Sequence, residues 1–135
     1  MPTPSLGTVL AAIQTEAADA GVRFTPTYTP DSAPTGTVAT AWVAQAEWEK
    51  LGTEYGLVGG IITAALLKPH VDLARALETM VPFLESFPEQ VYANPTLSQN
   101  QDIVRSISAR YVSMDWAGVP MVGYHFDIVF DLRYH

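Results

Sequence analysis

The sequence has no cysteine and no long apolar run, and each absence excludes a class of protein. Without cysteine there is no disulfide framework, no thiol nucleophile and no cysteine-based zinc site. The longest apolar stretch, 56–67, is about a dozen residues against the roughly 20 that span a bilayer, and the first 21 residues lack the basic start of a signal peptide. The sequence therefore predicts a soluble protein with no membrane partner and no export.

Basic residues are also scarce: 7 lysines and arginines stand against 14 acidic residues, giving a net charge of −7. Such a surface repels phosphate, so nucleic-acid binding through a basic patch is not expected. What the chain does have is 135 residues with 48% hydrophobic content. That length and content predict one domain, 1–135, with a single core.

Candidate catalytic and metal-binding residues are few. The three histidines are far apart and form no recognised metal motif. His125 and Asp127 share the outward face of the last predicted strand, which is ordinary for a solvated face. A triad with Ser108 or Ser113 is conceivable, but no nucleophile elbow presents either serine. The sequence therefore predicts no catalytic residue, no metal and no cofactor, and a protein that is not an enzyme.

The first third of the chain predicts a helix followed by strands. Apolar residues recur at helical spacing on one face, at Leu6, Val9, Leu10, Ile13 and Ala17. Ser5 is placed as the N-cap and Gly21 as the residue that ends this helix. Composition then predicts a short edge strand, a loop and a strand, at 22–28, 29–36 and 37–44. Residues 45–51 either continue that strand or form a helical turn.

The middle of the chain predicts a buried strand and a second helix. Residues 57–67 are apolar on both faces, which is typical of a central strand covered on both sides. A helical stripe starts near Pro69, and Pro82 within it predicts a kink or an early end. The helix is expected to end around Pro88, and the polar segment 89–101 is expected to form an exposed loop.

The clearest prediction is a long C-terminal β-hairpin over 103–132. Its second strand alternates without a break, with one face formed by Val122, Tyr124, Phe126, Ile128, Phe130 and Leu132. The segment 115–118, which contains Trp116, is expected to be the turn, and Trp42 has the spacing of a core strand residue. The predicted fold is α+β, in the order α-β-β-β-α-β-β, with a mainly antiparallel sheet packed by two helices.

This order of elements resembles the tail terminator proteins of long-tailed, siphovirus-like bacteriophages. The stretches that carry the resemblance are GLVGGIITAALLKPHVDLARALETMVPFLES and DIVRSISARYVSMDWAGVPMVGYHFDIVFDLRYH, in which Gly123-Tyr124 fills a small-aromatic step into the last strand. The resemblance implies a homohexameric ring at the tail–neck junction of the virion, assembled in the bacterial cytoplasm. Its partners would be the tail tube protein and the head–tail connector or stopper protein, with DNA passing through the lumen without specific binding.

Function in such a ring lies in its surfaces. Ring closure joins one patch of a subunit to a different patch of its neighbour. The outward side of the hairpin supplies the candidate subunit-interface residues Arg105, Arg110, Trp116, Asp127 and Asp131. The segments 29–36 and 89–101 are expected to contribute. Two roles stay open for Trp116 on the turn: an anchor between subunits, or a cover over the end of the hairpin.

Two other interpretations remain. The first is another head–tail connector or tail completion protein, such as a stopper. The second is a small α+β enzyme or ligand-binding protein with its pocket between helix and sheet. The position of the protein in a virion separates the first from a terminator, and a monomer with a deep polar pocket would favour the second.

Overall fold

The computed structural model describes residues 6–26, 34–70, 72–97, 99 and 102–132, which form a single α+β domain. Its helices are α1 (Leu6–Asp19), α2 (Leu73–Met80) and α3 (Phe83–Ala93). Its strands are β1 (Val38–Leu51), β2 (Glu54–Pro69), β3 (Val104–Trp116) and β4 (Val119–Asp131). They form one antiparallel sheet in the spatial order β1-β2-β4-β3. The predicted fold class and C-terminal hairpin are confirmed.

The main core lies between the sheet and the three helices. The helix α1 packs on β1 and α3, α2 on β2 and β4, and α3 on β3. The largest fully buried side chains of this core are Ile13, Ile62, Leu66, Met80, Phe87, Leu97, Ile103, Phe126, Ile128 and Phe130. The alternate residues of β4 predicted to face the core are all buried. Each such large side chain contributes about 1.5–3 kcal/mol by leaving water.

The opposite side of the sheet is termed the open face, and its central rows carry Thr63 and Ala65 on β2 and His125 and Asp127 on β4. A second, smaller apolar cluster lies on it. Its members are Val38, Ala65, Leu67, Trp116 and Met121, with Val119 packed alongside. None of the three helices contributes a residue to this cluster. The sheet of the described ranges is therefore covered by helices on one side only.

The hairpin turn is tighter than expected. It consists of Ala117 and Gly118, both with positive φ (51° and 85°), as a two-residue turn between twisted strands requires. Trp116 is consequently the last residue of β3 and not part of the turn. Its side chain is 9% exposed and belongs to the second cluster. Within its own chain Trp116 therefore covers the end of the hairpin, and its role as an anchor between subunits stays a prediction.

The elements expected in the first half of the chain are only partly observed. The segment 22–28 forms no strand within its described residues, only an isolated parallel bridge from Phe24 to Val38. Residues 45–51 continue β1, and 57–67 lies in the central strand β2 as expected. The positions of Ser5 and of 29–33 lie outside the described residues.

The predicted second helix is two helices, and the expected loop at 89–101 is shorter. The helix α2 ends at Met80 and α3 begins at Phe83, so the expected interruption at Pro82 is confirmed. The helix was expected to end around Pro88, but α3 continues through Pro88 to Ala93. A proline inside a helix costs about 3 kcal/mol or more, but Phe87 and neighbouring apolar side chains of α3 are buried against the sheet. Burial outweighs the missing hydrogen bond.

Candidate assembly surface on the open face of the sheet

A cleft of about 390 Å³ lies on the open face, at the end of the sheet that carries the β3–β4 turn. It is lined mainly by apolar side chains, and its lining also includes three polar residues. The lining residues are Thr40, Trp42, Ala65, Leu67, Met114, Asp115, Trp116, Ala117 and His125. Neighbouring strands place most of these residues together, because β1, β2, β4 and β3 each present alternate side chains to this face. Asp115 and Ala117 are the chain neighbours of Trp116. The cleft is termed the Trp116 cleft.

Trp42 lies at this cleft and not in the main core, so its prediction as a core residue is wrong. It is 37% exposed, and its ring meets the His125 ring edge-on with centroids 5.4 Å apart. The alternation of β1 correctly places Trp42 on one face of a strand. It does not reveal that this face has no helix over it. An exposed aromatic ring beside a cleft is a common feature of interaction surfaces.

A polar row crosses the open face beside the cleft. The Thr63 hydroxyl donates to Asp127 Oδ1 at 2.8 Å, and Arg110 Nη1 lies 3.9 Å from Asp127 Oδ2. Arg110 Nη2 lies 3.4 Å from His125 Nδ1. Because Thr63 is buried, its bond fixes the Asp127 carboxylate, which in turn orients the more exposed arginine. The row therefore holds a cation in a defined place beside the mainly apolar cleft.

The surroundings of His125 favour the neutral form of its imidazole by lowering its pKa. Burial lowers the pKa of its imidazole, and the neighbouring Arg110 guanidinium lowers it further, while Asp127 acts in the opposite direction. Its Nε2 is buried and has no hydrogen-bond partner among the described residues, while Nδ1 faces Arg110. Neither ring nitrogen bonds a serine hydroxyl of the residues that the structure describes. In the described ranges, no group of three or more histidine or acidic side chains could hold a metal ion.

A second exposed feature of the fold is a projecting hairpin. The strand β2 pairs with β4 only from Gly59 onward, so the ends of β1 and β2 continue past the rest of the sheet. Gly52 closes their turn with a φ of 66°, a conformation that glycine adopts readily. Residues 45–57 are termed the arm. The arm was not predicted, although Gly52 between two β-rich runs is the kind of signal that marks a hairpin.

The arm exposes two large aromatic side chains. Trp48 is 64% exposed and Tyr55 is 71% exposed. Lys50 lies over the Tyr55 ring, with Nζ 5.9 Å from the centroid. Leu57 pairs with Trp48 and packs partly against the main core, so the aromatic face of the arm continues the helix-covered side of the sheet. This is the largest aromatic exposure in the described part of the chain.

The four charged residues predicted to lie at a subunit interface are on the open side of the hairpin, and they pair with each other inside the chain. Arg105 Nε lies 3.7 Å from Asp131 Oδ2, and Arg110 pairs with Asp127 as described above. Arg110 remains accessible, with its side chain 61% exposed. Surface pairs of this length contribute about 0–1 kcal/mol, so they leave the arginines available to other partners. Their role at an interface stays a prediction.

No protein-family model matches the chain, and no curated protein matches it either. None of the helices in the described ranges is long and apolar enough to cross a membrane. Function is therefore inferred from the open face, the arm and the strand edges.

Proposed function

We propose that this protein is a structural subunit of the tail terminator kind, forming a ring that caps a phage tail tube and joins it to the head–tail connector. The observation that carries the proposal is a four-stranded antiparallel sheet whose helices cover one face only. The uncovered side presents a cleft, and an aromatic arm projects from the sheet. Exposed apolar features of this kind mark surfaces that meet other proteins.

The strand edges support the same function. The sheet order leaves β1 and β3 at opposite edges. Within the described ranges, backbone contacts on the outer sides of these strands lie near their starts, at Ala39 with Phe24 and at Val104 with Pro95. Long unpaired edges are templates for another strand. A contact from β1 of one copy to β3 of the next joins two different surfaces, which is the requirement for closing a ring.

Net charge is consistent with a channel for DNA. A ring of six chains would carry six times −7, or −42. A lumen of the same sign as phosphate repels the passing duplex and prevents it from adhering. In this proposal the ring lies at the tail–neck junction, its partners are the tube and connector proteins, and the lumen is acidic.

Electron microscopy of the purified protein mixed with tail tubes tests this function. We expect a single ring at one end of each tube, and a native mass of about 88 kDa for six chains of 14.7 kDa. A ring attached to the connector but absent from the tube would instead support a stopper-like neck component. A protein that stays monomeric at high concentration and binds neither structure would refute both assignments.

The Trp116 cleft favours one alternative function, that of a small ligand-binding protein. At about 390 Å³ it is near the lower end of the roughly 300–1,000 Å³ typical of small-molecule sites, and His125 Nε2 beside it has no hydrogen-bond partner in the described part of the chain. This alternative predicts a stable monomer whose unfolding temperature rises with a metabolite that contains both apolar and acceptor groups. A screen of small molecules by thermal unfolding measures it directly.

A further inference from the structure

The arm and the Trp116 cleft are at opposite ends of the sheet. Tyr55 of the arm and Leu67 of the cleft are both on β2, twelve residues apart. At about 3.3 Å per residue, a strand places them roughly 40 Å apart. The arm of one chain therefore cannot fill the cleft of the same chain, and the two features are available to different copies.

Their chemistry is complementary. The cleft is lined mainly by apolar and aromatic side chains and has the size of a small ligand site, so it accommodates a large aromatic ring. The arm supplies two such rings, at Trp48 and Tyr55, on one face of a two-stranded ribbon. Aromatic side chains inserted into a partly formed apolar pocket are the usual anchors of protein interfaces.

The charge of the arm is also complementary to the charge beside the cleft. The arm carries three glutamates and one lysine, a net charge of −2. The most exposed cation beside the cleft is Arg110, whose own carboxylate partner is 3.9 Å away. Complementary rims of this kind fix register and speed association.

We propose that the arm of one copy docks into the Trp116 cleft of the next copy, with Trp48 or Tyr55 as the buried anchor. This contact rests on the proposed ring and specifies which surfaces meet in it. It is heterologous, because arm and cleft are different patches, so repetition of the contact generates a closed ring when the rotation between copies closes. The ring is then held by side-chain anchoring in addition to strand pairing.

Cross-linking tests the contact, because the chain has no cysteine of its own. Tyr55→Cys and Met114→Cys, made as separate proteins and mixed, place one thiol on the arm and one on the cleft. We expect a short bismaleimide to join the two proteins in high yield. The control mixes Tyr55→Cys with Tyr92→Cys, whose thiol lies on the exposed side of α3. A yield no greater than that of the control overturns the contact.

A second measurement uses assembly itself. Replacing both Trp48 and Tyr55 by alanine should raise the dissociation constant for assembly by about 30-fold or more, as loss of an interface anchor does. Tyr92→Ala, which removes a half-exposed ring on α3, should change it less than about 3-fold. Equal effects of the two changes would contradict the inference.

The two proposals fail in different ways. Rings on tail tubes without the Tyr55–Met114 cross-link overturn the arm contact and leave the terminator function standing. Cross-linked oligomers that never bind tail tubes support the contact and refute the terminator function.

Discussion

Gly123 lies where β4 leaves no room beside β2 for a side chain. It is buried in the middle of the sheet, opposite Leu67 on β2 and Val112 on β3. A Cβ at this position would overlap the backbone carbonyl oxygen of Leu66 and lie 3.0 Å from the Leu67 Cα. These are backbone atoms, so no side-chain rotation relieves the overlap. Gly123→Ala therefore forces the two central strands apart.

The size of the effect follows from a matched control. Gly56 lies in the projecting part of β2, and nothing is within 4 Å of the Cβ it would carry. Gly56→Ala should be neutral or stabilise by about 0.4–1 kcal/mol, because alanine restricts the unfolded chain. Gly123→Ala restricts the unfolded chain in the same way, but it also destabilises the folded state. Overpacking costs about 1–3 kcal/mol or more, and each strained hydrogen bond between the strands costs roughly 0.5–1.5 kcal/mol. We expect a net loss of about 3 kcal/mol.

Urea unfolding and calorimetry of the two variants measure this difference. For a domain of this length, 1 kcal/mol corresponds to about 4 °C, so Gly123→Ala should unfold roughly 12 °C below the unchanged protein. Gly56→Ala should unfold at or slightly above it. A Gly123→Ala protein as stable as Gly56→Ala would refute the close approach of β2 and β4 at this position.

Three further predictions concern the pKa shifts and the core. His125 has a lowered pKa in the fold, so the unfolded chain binds its proton first and stability falls as pH drops below about 6.5. Urea unfolding at pH 7.5 and at pH 5.5 measures this loss, which should be smaller for His125→Gln than for the unchanged protein. Burial raises the pKa of Glu16, so its charged form destabilises the fold as pH rises through that pKa. Glu16→Gln keeps an acceptor for Asn94 and should have a higher urea midpoint than the unchanged protein at pH 7, with no gain at pH 3.5. Phe87→Ala should cost about 3–5 kcal/mol by calorimetry, because its fully buried ring packs on the main core.

The elements that were predicted well are those with an unambiguous period. The alternation of β4 is compatible only with a strand and the apolar stripe of α1 only with a helix, and both agree with the structure. Pro82 is also informative, because it cannot donate the hydrogen bond that would join α2 to α3. Pro88 also lacks a backbone N–H to donate, but the helix α3 continues through it. Local rules describe the cost of a proline but not the burial of its neighbours, and that burial depends on contacts distant in sequence.

The candidate surface was harder to predict, because periodicity gives two faces of a strand without revealing which one the helices cover. Trp42 and Trp116 illustrate this. Both lie on the open face, but Trp116 is enclosed by the second cluster while Trp42 borders the cleft. The charged residues of the hairpin were located correctly on that side, although their pairing across β3 and β4 depends on a register that hydrophobic alternation does not specify.

Unequal strand lengths connect the fold to the proposed function. The strands β1 and β2 contain 14 and 16 residues, and β3 and β4 contain 13 each, so one end of the central strand has no partner on the β4 side. A two-stranded ribbon is marginal by itself in water, and it gains little from exposed rings such as Trp48 and Tyr55 in an isolated chain. Burial against a neighbouring copy would remove both rings from water and immobilise the ribbon. In the proposed ring, the arm is therefore the part of the fold that would gain the most stability from assembly.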